Sequence, residues 1–138
     1  MNLRKVAPPV GAVASLVTVL VLALPFVLVD ARAELLNAYY AAGPTGAVGI
    51  ALFGLLGVVA FASAERGNVD RVTMAGGLVA LGVGTLALAA AWWLAIDDTV
   101  LFSFPQEYRW LEWHAPLTTA LAAVPLAAAA AYASAVVE

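Results

Sequence analysis

Residues 72–96 read VTMAGGLVALGVGTLALAAAWWLAI, without a single charge, closed on one side by Asp70-Arg71 and on the other by Asp97-Asp98. As a helix rising 1.5 Å per residue, this stretch would reach roughly 38 Å, more than the roughly 30 Å hydrocarbon core of a bilayer. The same arrangement recurs along the chain: residues 6–29, 35–64 and 113–137 are also uncharged. The ionisable residues collect between these stretches, as Arg4-Lys5, Asp30 to Glu34, Glu65 to Arg71, and Asp97 to Glu112, with Glu138 alone at the end. Hydrocarbon offers backbone groups no hydrogen-bond partner, so a spanning segment must satisfy them within itself, as a helix does. The apolar–polar alternation of a membrane β-barrel is missing. The expected fold is all-α: a polytopic membrane protein built as a four-transmembrane-helix bundle, with a short interfacial helix before the last span.

Composition points the same way. The 138 residues are 64 % hydrophobic and 11 % charged, with a mean hydropathy of +0.99. Soluble domains average about 45–50 % apolar and about 25 % charged residues, and a small one needs charge to cover its large relative surface. A soluble globule and a disordered chain are excluded. The net charge of −3 leaves no basic surface for nucleic acid. The absence of cysteine removes disulfides, thiolate metal sites and a cysteine nucleophile. The single histidine, His114, cannot build a multi-histidine metal site.

The chain reads as a single membrane domain, 1–138, with spans over about 10–29, 45–64, 72–96 and 116–137 and an outer interfacial segment over about 103–113. Pro8 and Pro9 suit the entrance of the first helix; Pro25 and Pro125 are kink candidates. The first stretch has a rival reading as a signal peptide, with Arg4-Lys5 as its basic region and Ala31-Arg32-Ala33 as a cleavage site, which would remove residues 1–33. Its apolar run of about 20 residues exceeds the usual 7–15 of such peptides. Glu34 to Tyr40 is locally helical, and Gly43-Pro44 ends it. Tyr39, Tyr40, Trp92 and Trp93 are expected at the membrane–water boundary. The compact turn at Gly67-Asn68 makes spans two and three antiparallel neighbours. Ser103, with Gln106 three residues on, resembles a capping box. The helix it would start, Phe104 to Trp113, places Phe104, Tyr108 and Leu111 on one face and Trp110 and Trp113 on the other.

Basic residues in short loops favour the cytoplasm. With the N-terminus inside, Arg4, Lys5, Arg66 and Arg71 are inner, and Arg32 and Arg109 are outer. Six of the acids, Asp30, Glu34, Asp97, Asp98, Glu107 and Glu112, then face out. Both termini are therefore expected in the cytoplasm of a cell-membrane protein.

The span interiors carry small residues at helical spacing: Gly46, Gly49, Gly54 and Gly57; Gly76, Ala80 and Gly84; Ala123, Ala127, Ala131 and Ala135. Such faces let helix backbones approach closely, within the bundle, in a homo-oligomer or against a partner, with the fourth span expected to carry any face that makes an oligomer or docks a partner. No ionisable residue lies within a span core, whereas ion-coupled transporters use an intramembrane titrating group. Small multidrug exporters, also four-helix proteins, place a glutamate in the first helix, and residues 6–29 hold no acid. Hydroxyls such as Thr18 and Thr85 are expected to bond a backbone carbonyl or a neighbouring helix rather than line a pathway. Asp97, Asp98, Glu107 and Glu112 read as a solvated acidic rim rather than a cation site, and His114 as an interfacial side chain. Arg109 and Trp113, four apart, could pair as cation and π face. The nucleophile and zinc motifs of hydrolases are absent, so no catalytic, cofactor-binding or metal-ligating residue is assigned, and no cofactor is expected.

Lys5 is the sole lysine, loop acids outnumber loop bases, and Ala, Val, Leu and Gly fill the spans. Together with Phe104-Pro105-Gln106-Glu107-Tyr108-Arg109-Trp110-Leu111-Glu112-Trp113, this profile resembles the small, uncharacterised four-helix membrane proteins of halophilic archaea, a resemblance that implies no particular activity. Claudin-like tetraspans differ, having cysteines and an earlier tryptophan. The reading is thus a non-catalytic integral membrane protein, a scaffold or accessory subunit in the lipid bilayer, packing with itself or a membrane partner. The alternatives are an oligomeric channel or facilitator for a small solute and, further off, a lipid- or quinone-binding module.

Overall fold

A computed structural model describes residues 2–30, 33–67 and 69–137. The proposed cleavage site at Ala31-Arg32, the turn tip at Asn68 and the terminal Glu138 lie outside the described residues. The elements are α1 (Leu3–Leu28), α2 (Ala33–Tyr40), α3 (Gly46–Arg66), α4 (Arg71–Ala95), α5 (Asp98–Ser103), a 3-10 turn (Gln106–Tyr108) and α6 (Leu111–Val137). Among the described residues, four helices, α1, α3, α4 and α6, are long and apolar enough to cross a membrane, and none of those residues forms a strand. The chain is an all-helical, multi-pass membrane protein.

Helix α1 lies between α3 and α6, and α4 packs against the same two neighbours. The start of α1, the end of α3, the start of α4 and the end of α6 meet around one cleft, so the four run alternately up and down. The core divides in two along the bundle. One cluster, at the end that carries the termini, holds Phe61, Met74, Leu78, Ala129 and Tyr132. The other, at the end that carries α2 and α5, holds Leu22, Tyr39, Ile50, Trp92, Phe104 and Leu111. Val13, Leu20, Leu52, Val59, Val83 and Leu117 point outward, where a soluble bundle would carry charge; facing acyl chains they cost nothing.

Two helices begin earlier than the prolines suggest. The Asn2 side chain accepts the Arg4 N–H at 3.1 Å, so α1 is capped before Pro8 and Pro9, which lie inside it. The carbonyls left without a donor by these prolines, on Arg4 and Lys5, belong to exposed residues and are open to water. Likewise α6 starts at Leu111 and carries Pro116 inside.

The short helix before the last span is present, but over Asp98–Ser103 rather than 103–113. Asp97 caps it, its carboxylate accepting the Thr99 N–H at 3.0 Å. Ser103 closes this helix instead of opening the next: its hydroxyl donates to the Thr99 carbonyl at 2.6 Å. Pro105 is the reason. A residue before proline is driven to extended backbone, and Phe104 sits at φ −72° and ψ 150°. Phe104, Tyr108 and Leu111 still pack together against the core, while Trp110 and Trp113 remain exposed.

Glycine is required at the turn between α3 and α4. Gly67 has φ 75°, and its N–H bonds the carbonyls of Ser63 and Ala64, closing α3. That left-handed backbone is strained for residues with a Cβ.

Small residues do bring the helices together, though not all on the expected faces. A Cβ on Gly54 would collide with Val19, and one on Gly57 with Ser15, so α3 lies tight on α1. In α4 the close approach is at Gly82, whose added Cβ would stand 2.9 Å from the Leu126 Cα of α6. Gly76 and Ala80 of the expected stripe are exposed. In α6 the buried alanines include Ala122 and Ala129, while Ala127 faces out.

Candidate functional site

The densest polar arrangement inside the protein lies at the end that carries α2 and α5, and it begins with a proline. Pro25 has no N–H, so the Val21 carbonyl, four residues back in α1, loses its helical donor. His114 of α6 replaces it, with Nε2 lying 2.6 Å from the Val21 oxygen. A carbonyl only accepts, so Nε2 carries the proton. The neutral ring then presents Nδ1 as an acceptor, and the Tyr39 hydroxyl donates to it at 2.6 Å. One directional chain thus runs from Tyr39 through His114 to Val21, joining α2, α6 and α1.

Helix α2 delivers Tyr39. Leu35, Leu36, Tyr39 and Tyr40 turn inward, while Glu34, Asn37 and Ala38 are exposed, the stripe of an amphipathic helix lying on the bundle mouth. Tyr39 is fully buried. Its ring meets Trp92 edge-on at 5.3 Å and Phe104 at 6.2 Å, and its carbonyl accepts the Trp92 indole N–H at 2.9 Å. Edge-to-face pairs of this kind contribute about 0.5–1.5 kcal/mol each beyond burial. Tyr40 stacks on Trp92 with planes 5° apart and donates to the Leu22 carbonyl at 2.8 Å. Burial, with the Tyr40 hydroxyl nearby, pushes the Tyr39 hydroxyl well above the ordinary tyrosine range. Burial also pushes Tyr40 up, to about 12, offset in part by the Phe26 backbone. Both hydroxyls are therefore neutral donors at physiological pH.

These positions correct the sequence reading. Tyr39 and Trp92 are sealed core residues rather than boundary residues, and His114, 2 % exposed, is not an interfacial side chain. Nor does His114 join the acidic rim. Asp97, Asp98, Glu107 and Glu112 are all exposed, and among the described residues no three of His, Asp and Glu stand close enough to hold a metal ion. Arg109 pairs with neither face of Trp113. Its guanidinium lies 4.8 Å from the Phe102 ring centre and 3.9 Å from the Glu112 carboxylate. Of the two expected partners for the mid-span hydroxyls, the structure selects the carbonyl of the same helix: Thr18 donates to Ala14 at 2.8 Å and Thr85 to Leu81 at 2.7 Å, as Thr118 does to His114 at 2.9 Å.

Chemically, the tyrosine–histidine chain is an anchor. It ends on an amide carbonyl, which has no proton to pass on, and both ring nitrogens of His114 are engaged. The sequence did carry a signal for it: an intramembrane proline always frees a carbonyl, and the sole histidine is a donor placed near the same end of the bundle. What sequence reading missed was the proximity of residues 21, 39 and 114.

No curated protein and no solved structure matches this chain. Residues 1–137 match the family described as Family of unknown function (DUF7548), and the chain belongs to that family.

Proposed function

We propose that this chain is a non-catalytic scaffold or accessory subunit of the cell membrane, packing against a second copy of itself or another membrane protein, with both termini cytoplasmic. The observation that carries the reading is the state of the interior. Among the described residues, no sealed side-chain nitrogen or oxygen lacks a hydrogen-bond partner, and Thr18 and Thr85 bond carbonyls of their own helices. A buried catalytic or conducting site needs polar groups held in reserve for a substrate or ion. Within the spans, Thr18, Thr85, Thr118 and His114 are instead consumed in hydrogen bonds within and between the helices.

The outward surface supports the packing half of the reading. On α4, Gly76, Gly77 and Ala80 are exposed, and an added Cβ at Gly76 or Gly77 would meet nothing within 4 Å. Small residues on a lipid-facing helix permit close approach by another helix. The orientation is supported by charge: Arg4, Lys5, Arg66 and Arg71 lie at the end that carries the termini, and positive loops favour the cytoplasm. Lys5 as sole lysine and the excess of loop acids support a halophilic archaeal source.

The protein has no native cysteine, so Ala80→Cys makes a clean probe. In native membranes this variant is expected to form a disulfide-linked dimer, or, in mild detergent, to retain a defined membrane protein. A lone monomer that does neither overturns the proposal. A solute flux in liposomes that Thr18→Val or Thr85→Val reduces would replace it with the channel.

A further inference from the structure

The end of the bundle that carries the termini holds a cleft of about 500 Å3, lined among its polar residues by Asn2, Arg4, Lys5, Glu65, Arg66, Arg71 and Tyr132. Four of the six basic residues of the chain thus converge on one cleft from α1, α3 and α4, and among the described residues Glu65 is the one acid that lines it. Among the described residues none of these four cations has a carboxylate within 4.0 Å; the ion pair between Arg109 and Glu112 is at the other end. The neighbouring acid, Asp70, is occupied as the cap of α4, accepting the Thr73 N–H and hydroxyl at 3.1 Å each. All four are exposed, so water and salt soften their mutual repulsion, and an anion entering the shared space would relieve what remains.

Tyr132 supplies a second, independent observation. It is 3 % exposed, its ring packed in the cluster with Phe61, Met74 and Leu78. Yet among the described residues its hydroxyl bonds to no protein group, and it lines the cleft. The other tyrosine hydroxyls of the chain, on Tyr39, Tyr40 and Tyr108, all find protein partners. The ring is buried, but the hydroxyl is not among the sealed polar atoms: it is left at the accessible surface of a cleft the residue lines, a donor free to meet a ligand acceptor.

We propose that this cleft binds a phosphate-type oxyanion: the phosphate of an anionic lipid headgroup or a soluble phosphoryl group. Arg4, Arg66 and Arg71 offer planar forks that match phosphate oxygens in pairs, Lys5 adds a mobile charge, and Tyr132 donates to one oxygen from the floor. The ends of the spans bring the cleft to headgroup level, where basic pockets between membrane helices capture phosphate-bearing lipids. The inference holds whether or not the chain is a scaffold.

The test uses the full chain in neutral detergent, titrated separately with phosphatidylglycerol, phosphatidylcholine and inorganic phosphate, with binding read by native mass spectrometry and calorimetry. Phosphatidylglycerol is expected to bind at least tenfold more tightly than phosphatidylcholine. Saturation by inorganic phosphate at comparable concentration would assign the soluble source, and its failure to compete the lipid source. Tyr132→Phe, which keeps the packed ring, is expected to weaken the anion about tenfold. Arg66→Gln combined with Arg71→Gln should weaken it more, and flatten its salt dependence. Arg109→Gln, at the opposite end, should leave it unchanged. Equal binding of the two lipids together with no phosphate binding, or anion binding that survives both cleft variants, overturns the proposal.

Discussion

Proline at position 25 removes one backbone donor inside α1, and the cost falls on the Val21 carbonyl, at a half-buried position of the helix. His114 answers that deficit at 2.6 Å and in turn holds the Tyr39 hydroxyl. An unsatisfied buried polar group costs about 1–3 kcal/mol. His114→Ala strands both the Val21 carbonyl and the Tyr39 hydroxyl, so it should destabilise the protein by about 2–5 kcal/mol, measured by unfolding in mixed micelles. Pro25→Ala returns the missing N–H to the helix. Placed on His114→Ala, it should recover at least about 1 kcal/mol, a coupling that a double-mutant cycle isolates. Strict additivity of the two changes would show that the histidine does not serve the proline-freed carbonyl.

Among the elements, the glycines of α4 separate helices that touch from surfaces that do not. Gly82 stands against the Leu126 backbone, with 2.9 Å left for a Cβ, whereas Gly76 has open space. Gly82→Ala should therefore push α4 from α6 and cost about 1–3 kcal/mol by overpacking. Gly76→Ala should be neutral or slightly stabilising, because alanine favours the helix by up to about 1 kcal/mol. Thermal stability of the two variants in one detergent checks the contrast, and equal losses would mean that both faces are packed. The short elements follow the same local logic. Asp97 and Pro105 together place α5 and end it, because a cap starts a helix and a residue before proline leaves it. Reading Ser103 as the cap overlooked the stronger of these two constraints.

At the scale of the whole molecule, charge sorts to the two ends of an up-and-down bundle: Arg4, Lys5, Arg66 and Arg71 at one, Asp97, Asp98, Glu107 and Glu112 near the other. In a membrane these ends face different compartments. Single cysteines at Val69 and Gln106, both exposed, should accordingly label from opposite sides. In intact cells an impermeant maleimide should reach Gln106→Cys and spare Val69→Cys until the membrane is opened. Labelling of both in intact cells would refute the alternating arrangement, and the reverse pattern would invert the proposed orientation.

The sequence by itself determined the rods and their ends, because expelling charge from hydrocarbon is a large, local effect that any window of about 20 residues registers. It also located the polar turn at Gly67, since a turn depends on neighbours within a few residues; that Thr18 and Thr85 bond back into their own helices rather than across to another was settled by the structure. Only the tertiary structure decided which small residues face a partner helix, since a glycine stripe looks the same toward lipid as toward protein. The fate of Tyr39, Trp92 and His114 was likewise hidden: an amphipathic ring satisfies its polar atom at the interface or in the core, and the choice rests on whether a distant partner arrives. The cleft around Tyr132 was read as loop charge for the same reason. Four basic residues from three helices become one site only once the helix ends are brought together.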